Sequence, residues 1–356
     1  MSNKKVVITG LGVIGSNGTG KDAFFEAISK GISGIKPVSL FDTAQFEAKT
    51  AGEIKDFTPE EFLGPKGLRT LDRSTKLVAS AAKLALDDAK LEITETNTHD
   101  TGVAVGTTLG SLRSISDFDR DAIQEGPRYV NPALFPNTVI NSPASQVSIK
   151  FNIKGFNATI STGFSASLDA INYAADFIRL GRVKVVLAGG VEELCPQTFI
   201  GFYKAGLSVT IGEGSAILVL EDLDSALKRN AHIYAEVSGY GAGCGARDGI
   251  KRAMEESIKE ANIALADIDC ISSAANLNNE NDLGEEQAIK DLFGSREKVH
   301  ISSIKPLVGE CYSASGALQL AAALVLIEKQ EAKNILINAF GPSGHNSSLI
   351  ISRFRS

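Results

Sequence analysis

Glycine spacing offers the first candidate chemistry. Gly10-Leu11-Gly12-Val13-Ile14-Gly15 follows an apolar stretch and spells G-x-G-x-x-G, a pattern that can cradle a dinucleotide pyrophosphate. Such a site also needs a helix opening at the third glycine and an acid closing the next strand. Here Ser16-Asn17-Gly18-Thr19-Gly20 delays the helix, and no strand follows before Asp42. The overlapping run Gly15 to Lys21 nearly completes a phosphate loop. Asp22 stands where a Ser or Thr hydroxyl must reach magnesium, and its carboxylate would repel phosphates. Both patterns therefore read as a tight strand-to-helix turn, with Lys21 and Asp22 opening the helix. No cofactor or metal is expected.

Bases and nucleophiles are few. Of four histidines, His99, His232 and His300 read as loop or strand-edge residues, while His345 lies in the loop Gly341-Pro342-Ser343-Gly344-His345-Asn346. A structural role for His345 outweighs proton transfer, because no nucleophile is placed to use it. The cysteines Cys195, Cys244, Cys270 and Cys311 form no CxxC pair and read as free thiols of a reducing compartment. One segment combines a strand, a sharp turn and a helix. Ala158 to Gly163 leads into Phe164, and Leu168, Ile171, Ala175 and Ile178 form one helical stripe. A second strand, Val183 to Ala188, ends in Gly189-Gly190.

The elements that must position these residues alternate along the chain. Strands are expected at 5–10, 102–107, 157–161, 183–189, 215–221, 233–242, 268–273, 298–302, 334–338 and 347–354. Helices are expected at about 21–30, 73–90, 165–180, 248–263, 283–293 and 313–329. Two α/β halves follow, 1–225 and 226–356, with an insertion at about 40–150 in the first. The 356 residues are 43% hydrophobic and 22% charged, enough for a large core or two fused ones. Net charge −6 argues against a broad basic face for nucleic acid. No apolar run reaches the roughly 18 residues of a membrane span. The start, Met1 to Lys5, leads straight into a strand without a signal-peptide pattern, so a cytoplasmic location is expected.

Matches in order along the whole chain give a resemblance. They are Val7-Ile8-Thr9-Gly10-Leu11-Gly12-Val13, Leu71 to Ala79, Val105-Gly106-Thr107-Thr108-Leu109-Gly110 and Ile153-Lys154-Gly155. They continue through Leu187 to Glu192, Gly212-Glu213-Gly214, Ala235 to Gly241, Ser302-Ser303-Ile304-Lys305 and Asn338-Ala339-Phe340-Gly341. The chain resembles the β-ketoacyl-acyl-carrier-protein synthases, which implies a thiolase-like fold of two pseudo-duplicated halves in α/β/α/β/α layers. In that family a cysteine at the strand–turn–helix takes the acyl chain as a thioester, its thiolate favoured by the helix N-terminus. Two histidines then promote decarboxylation and stabilise the developing charge. The matching positions here are Phe164, Ala274 and Glu310, so no catalytic group is intact. Lys305, Asp282 and Glu285 match the family's polar network, and Phe340 its pocket gate, beside Phe164 and His345.

The resemblance therefore implies a catalytically silent subunit of the chain-length-factor type. It would pair with an active ketosynthase of type II fatty-acid or polyketide synthesis and shape the acyl tunnel. The strand Asn157 to Ser161, with Thr159 facing the two-fold axis, would meet the partner, and Phe135, Val139 and Ser142 would approach its acyl pocket. Arg69, Arg73 and Lys76 match the region that presents basic residues to an acidic acyl-carrier protein. Two other readings stay open. One is an active condensing enzyme or acyltransferase with a relocated nucleophile, Ser165 or Cys311; the other is a homodimeric acyl-binding protein. The segments 206–212 and 328–334 are shorter than the family's.

Overall fold

A computed structural model describes residues 4–206, 209–275, 280–294 and 299–354, with only the backbone at 280 and 281. Ten strands carry the fold. In the first half they are β1 (Val6–Gly15), β2 (Thr101–Gly106), β3 (Asn157–Ile160), β4 (Val185–Glu192) and β5 (Gly214–Asp222). In the second they are β6 (Ala235–Cys244), β7 (Cys270–Ser272), β8 (His300–Ser302), β9 (Asn334–Phe340) and β10 (His345–Ser352). Their spatial order is β8-β7-β9-β10-β6-β1-β5-β4-β2-β3. Read outward from the junction, the sets run β1-β5-β4-β2-β3 and β6-β10-β9-β7-β8, which is one order used twice. The junction is short, pairing Val7 with Glu236 and Ile8 with Ala235.

Nine helices are used below: α1 (Lys21–Lys30), α2 (Arg73–Asp88), α3 (Leu112–Gln124), α4 (Ser142–Phe151), α5 (Ala166–Arg179), α6 (Pro196–Lys204), α7 (Arg247–Ala261), α8 (Glu280–Phe293) and α9 (Ser315–Glu328). Strand alternation sorts the side chains into layers. Ala216, Leu218 and Leu220 face inward to one core cluster with Leu168, Ile171 and Ile178 of α5 and Leu318, Leu320 and Leu324 of α9. Ile217 and Val219 face outward to Leu77, Val78 and Ala81 of α2. Leu336 and Ile350 face outward on the other side, to Ile250, Met254 and Ile258 of α7. Helix α9 is apolar on almost every side because it is enclosed on every side. These are the expected α/β/α/β/α layers.

The glycine motif near the start differs from the expected turn. All of Gly10 to Gly15 belongs to β1. A Cβ on Gly12 would stand 1.9 Å from the Ala81 carbonyl oxygen, and one on Gly10 2.4 Å from that of Ala85. The glycines admit the backbone of α2 against the sheet. Lys21 does open α1, and its ammonium meets Asp88 at 2.6 Å and the Tyr234 hydroxyl at 2.7 Å.

Candidate functional site

The turn expected to matter forms where the sequence placed it. Strand β3 ends at Ile160, and Gly163 to Ser165 make a single 3-10 turn before α5. Gly163 sits at φ 84°, a left-handed conformation that L side chains rarely adopt, so the chain can double back within three residues. Phe164 heads the helix, half-buried. Its ring lies 6.2 Å from that of Phe202 and 6.0 Å from that of Tyr312, and those two stack at 4.6 Å. The Gly341 backbone closes the near side, where a Cβ would come within 2.7 Å of the Phe164 ring. Aromatic packing thus occupies the turn.

Sequence reasoning missed both partners of Phe164. Tyr312 is fully buried and holds φ 44°, an uncommon backbone for a large residue, just after the tight turn at Gly309. Its position two residues beyond Glu310 was the available signal. Phe202 lies on α6, a helix absent from the sequence expectations.

Ala274 and Glu310 meet at Lys305. The Lys305 ammonium stands 2.6 Å from the Glu310 carboxylate, with the two side chains 4% and 0% exposed. It also donates to the Ala274 carbonyl oxygen. The other Glu310 oxygen accepts from the Ser315 hydroxyl at 2.7 Å and the Tyr312 amide at 3.0 Å. Glu285 accepts from Ser273 Oγ at 2.7 Å, Asn338 Nδ2 at 2.8 Å and the amides of Ala274 and Ala275. Burial pushes its carboxyl above the usual carboxylate range. Lys305 and Glu285 thus lie in buried hydrogen-bonded contact with Ala274, and Lys305 with Glu310. Asp282 is half-buried on the same helix as Glu285. Asn276 and the Asn281 side chain lie outside the described residues. Phe340 ends β9, buried in the cluster that also contains Ala274.

Neither proposed stand-in nucleophile has the setting for attack. The Ser165 hydroxyl is buried and donates to the carbonyl oxygens of Ala339 at 2.8 Å and His345 at 3.2 Å. Cys311 is fully buried, and burial, reinforced by the charge of Glu310, raises its thiol well above the ordinary value. His345 belongs to a different cluster, its Nε2 2.9 Å from Asp169 of α5.

Two surface expectations change. Arg73 does not present its charge outward: its guanidinium grips fully buried Glu213, at 2.7 and 2.6 Å, and the Ile54 carbonyl. This accounts for the Gly212-Glu213-Gly214 motif and leaves Arg69 exposed and Lys76 half-exposed. Ser142 is buried in its own chain at 4% exposure, whereas Phe135 and Val139 stand 59% and 44% exposed.

Three groups with large shifts dominate the pH dependence of stability near neutrality. Burial raises Glu192 to about 7 and Glu193 to about 8, and the Asp169 hydrogen bond raises His345 to about 9. Each binds its proton more tightly when folded. The carboxyls stabilise most below the ordinary carboxylate range and lose that contribution as pH rises through those values; His345 loses its contribution as pH rises from the ordinary histidine value through about 9. Asp169 is lowered and acts in the opposite sense, but only at acid pH. The melting temperature should therefore fall between about pH 6 and about pH 9, and Glu192→Gln should flatten the early part of that fall. A scan series that stays level across the range would contradict this assignment.

The duplicated strand order, buried central helices and nucleophile-type turn define a thiolase-like ketosynthase fold. Residues 3–226 match the family described as "Beta-ketoacyl synthase, N-terminal domain", and residues 234–336 match its C-terminal counterpart. The chain belongs to the β-ketoacyl synthase family. It is 31% identical to 3-oxoacyl-[acyl-carrier-protein] synthase 2 of Coxiella burnetii, over 99% of both chains. It is 30% identical to the chloroplastic synthase I of Arabidopsis thaliana, over 99% of this chain and 87% of that one. The Coxiella alignment runs over 411 positions, more than this chain's 356 residues, so that relative carries internal segments lacking here. Among solved structures, the ishigamide ketosynthase/chain length factor superposes with a TM-score of 0.93 at 28% identity, covering 99% of this chain and 100% of that one. A type II PKS ketosynthase, solved with its acyl-carrier protein and bound to the hexaketide, gives 0.89 at 25% identity, over 99% and 100%. The chain is thus a ketosynthase-like subunit of the type II polyketide or fatty-acid kind. No described helix is long and apolar enough to cross a membrane.

Proposed function

We propose that this chain is a catalytically silent subunit of the chain-length-factor type, which completes an active ketosynthase as a heterodimer and shapes the tunnel for its growing acyl chain. One observation carries the reading. A phenyl ring, a methyl group and a carboxylate paired with Lys305 occupy the positions where the family's chemistry needs a thiol and two imidazoles. Such groups act as a unit, so losing all three removes the mechanism rather than slowing it. A homodimeric acyl-binding protein is the remaining rival, and it would share the same empty chemistry.

Docking of an acidic acyl-carrier protein falls to Arg69 and Lys76, because Arg73 is committed to Glu213. The structural relative solved with a carrier protein supports the existence of such a surface in this family. The retained Lys305 and Glu285 hold the former catalytic loops in place and so preserve the shape that a partner would read.

The purified chain should neither decarboxylate malonyl-carrier protein nor condense it with an acyl chain. Phe164→Cys should be just as inactive, because both imidazole positions stay empty. It should also lose about 2 kcal/mol, at the low end for a large-to-small change because the ring is only half-buried. Carbon dioxide release, intact mass and thermal unfolding read these outcomes. Condensation by the single variant, or an acyl adduct on Ser165 or Cys311 of the wild type, would defeat the proposal.

A further inference from the structure

Helix α5 is buried along one side, where Leu168, Ile171, Ala175 and Ile178 enter the core. A second stripe is apolar yet faces out. Tyr173, Phe177 and Leu180 follow at spacings of four and three, so they line one side of the helix and its C-terminal end. Tyr173 is 38% exposed and Leu180 60%, while Phe177 is half-buried. None of the three carries a charge. Phe156, the residue that leads into β3, joins this stripe to the strand. Its ring lies 4.2 Å from that of Phe177 and 5.9 Å from that of Tyr173, and those two stand 4.8 Å apart. A Cβ on Gly102 would come within 2.6 Å of the Phe156 ring, so a glycine of β2 makes the room that seats the cluster on the sheet.

The rings border an open edge. Among the described residues β3 pairs only with β2, which leaves its outer backbone groups free to pair. On the opposite face of the same sheet α4 presents Ile149, 71% exposed. Uncovered apolar surface therefore reaches across three layers at this end of the chain: helix, strand edge, helix. An extended peptide added to β3 would satisfy the strand and leave both helices bare. A second folded subunit covers all three. Symmetry then decides what meets α5. Two edge strands paired antiparallel are related by an axis perpendicular to the sheet, which keeps each face of the sheet on its own side. The layer set beside α5 is the corresponding layer of the partner.

We propose that the side of α5 formed by Tyr173, Phe177 and Leu180, with Phe156, is a second contact with the active ketosynthase, docking against the helix that begins at the partner's nucleophilic cysteine. This contact rests on the heterodimer reading given above and extends it from the strand to the helix layer. The silent subunit thereby touches the partner's catalytic helix along its flank. Uncharged aromatic groups suit such a contact, because they bury much area at little cost in conformational freedom.

Photo-crosslinking in the full complex tests the contact. The chain carrying Tyr173→p-benzoylphenylalanine is co-expressed with an active type II ketosynthase, irradiated and mapped by mass spectrometry. The cross-linked partner peptide should come from the helix that follows the catalytic cysteine. Leu180→Asp, at a mostly exposed position, should weaken the heterodimer about tenfold or more in size-exclusion titrations, while the isolated variant melts as the wild type does. A cross-link to another partner segment, or full-strength pairing by both Leu180→Asp and Tyr173→Asp, would overturn the contact and leave the heterodimer reading standing. A wild type that ignores the ketosynthase would overturn both. A cross-link between two copies of this chain would overturn the named partner and assign the face to a homodimer.

Discussion

Glu310→Ala is expected to destabilise the chain by about 3–5 kcal/mol, the usual cost of stranding one member of a buried ion pair. Lys305 is 4% exposed at its side chain and would keep only the Ala274 carbonyl of the partners described above. The same substitution strips Ser315 Oγ and the Tyr312 amide of their shared acceptor. The Tyr312 backbone already holds φ 44° and depends on such anchors. The double variant Lys305→Met with Glu310→Leu should recover most of the loss, because an apolar pair of similar volume is commonly no worse than a buried ion pair. Urea unfolding of the two singles and the double gives the coupling directly. A Glu310→Ala midpoint close to wild type would mean that Lys305 finds solvent or another acid, and that the network is not what holds the loop. In that case Glu310 would be incidental to the stability of the fold.

That network shows how the sequence could be read and where it could not. Lys305, Glu285, Ala274 and Glu310 are placed by motifs on either side of them, and the structure brings all four together. Phe164 was equally legible as the residue at the turn, but its packing partners were not. Phe202 comes from α6 and Tyr312 from a left-handed turn, and neither has a periodic signal that a single sequence displays. Helix α3 escaped for a related reason. None of its residues is buried within the chain, and Ile123 is 84% exposed, so its apolar spacing serves a face that this chain does not cover. Arg73 was misplaced because an arginine on a helix looks the same from sequence whether it meets water or a buried glutamate. Its partner Glu213 lies 140 residues away. Most central strands, by contrast, were readable as continuous apolar runs, since both of their faces are buried; β1 was read only as far as Gly10 because its glycines looked like a turn.

The exposed side of β3 carries the second large effect. Among the described residues β3 lies at the end of the sheet and pairs only with β2, leaving a ladder of backbone groups open on its outer side. Phe135, Val139 and Ile149, at 59%, 44% and 71% exposure, belong to the elements leading into this strand. Exposed apolar groups in the segments that precede an open strand edge are what the proposed heterodimer would cover. Asn157 is exposed, and its amide donates to the Ala144 carbonyl at 2.9 Å and Ser148 Oγ at 2.7 Å, which ties the start of the strand to α4. Thr159 is half-buried, while Ser161 stands exposed one residue past the strand end. Thr159→Asp and Ser161→Glu should each weaken pairing with an active ketosynthase by more than tenfold, because a charge forced into a drying strand interface keeps no partner; each factor of ten is about 1.4 kcal/mol. Condensation by the partner should fall in step, since its tunnel would lose one wall. Co-expression with an active type II synthase, pull-down and size-exclusion chromatography measure both losses. The contrast between the two variants adds a control. Ser161→Glu disturbs nothing inside its own chain, so a dimer lost in that variant is lost at the interface. If the wild type runs alone, or as a homodimer indifferent to the synthase, the edge serves another purpose and the acyl-binding reading takes its place.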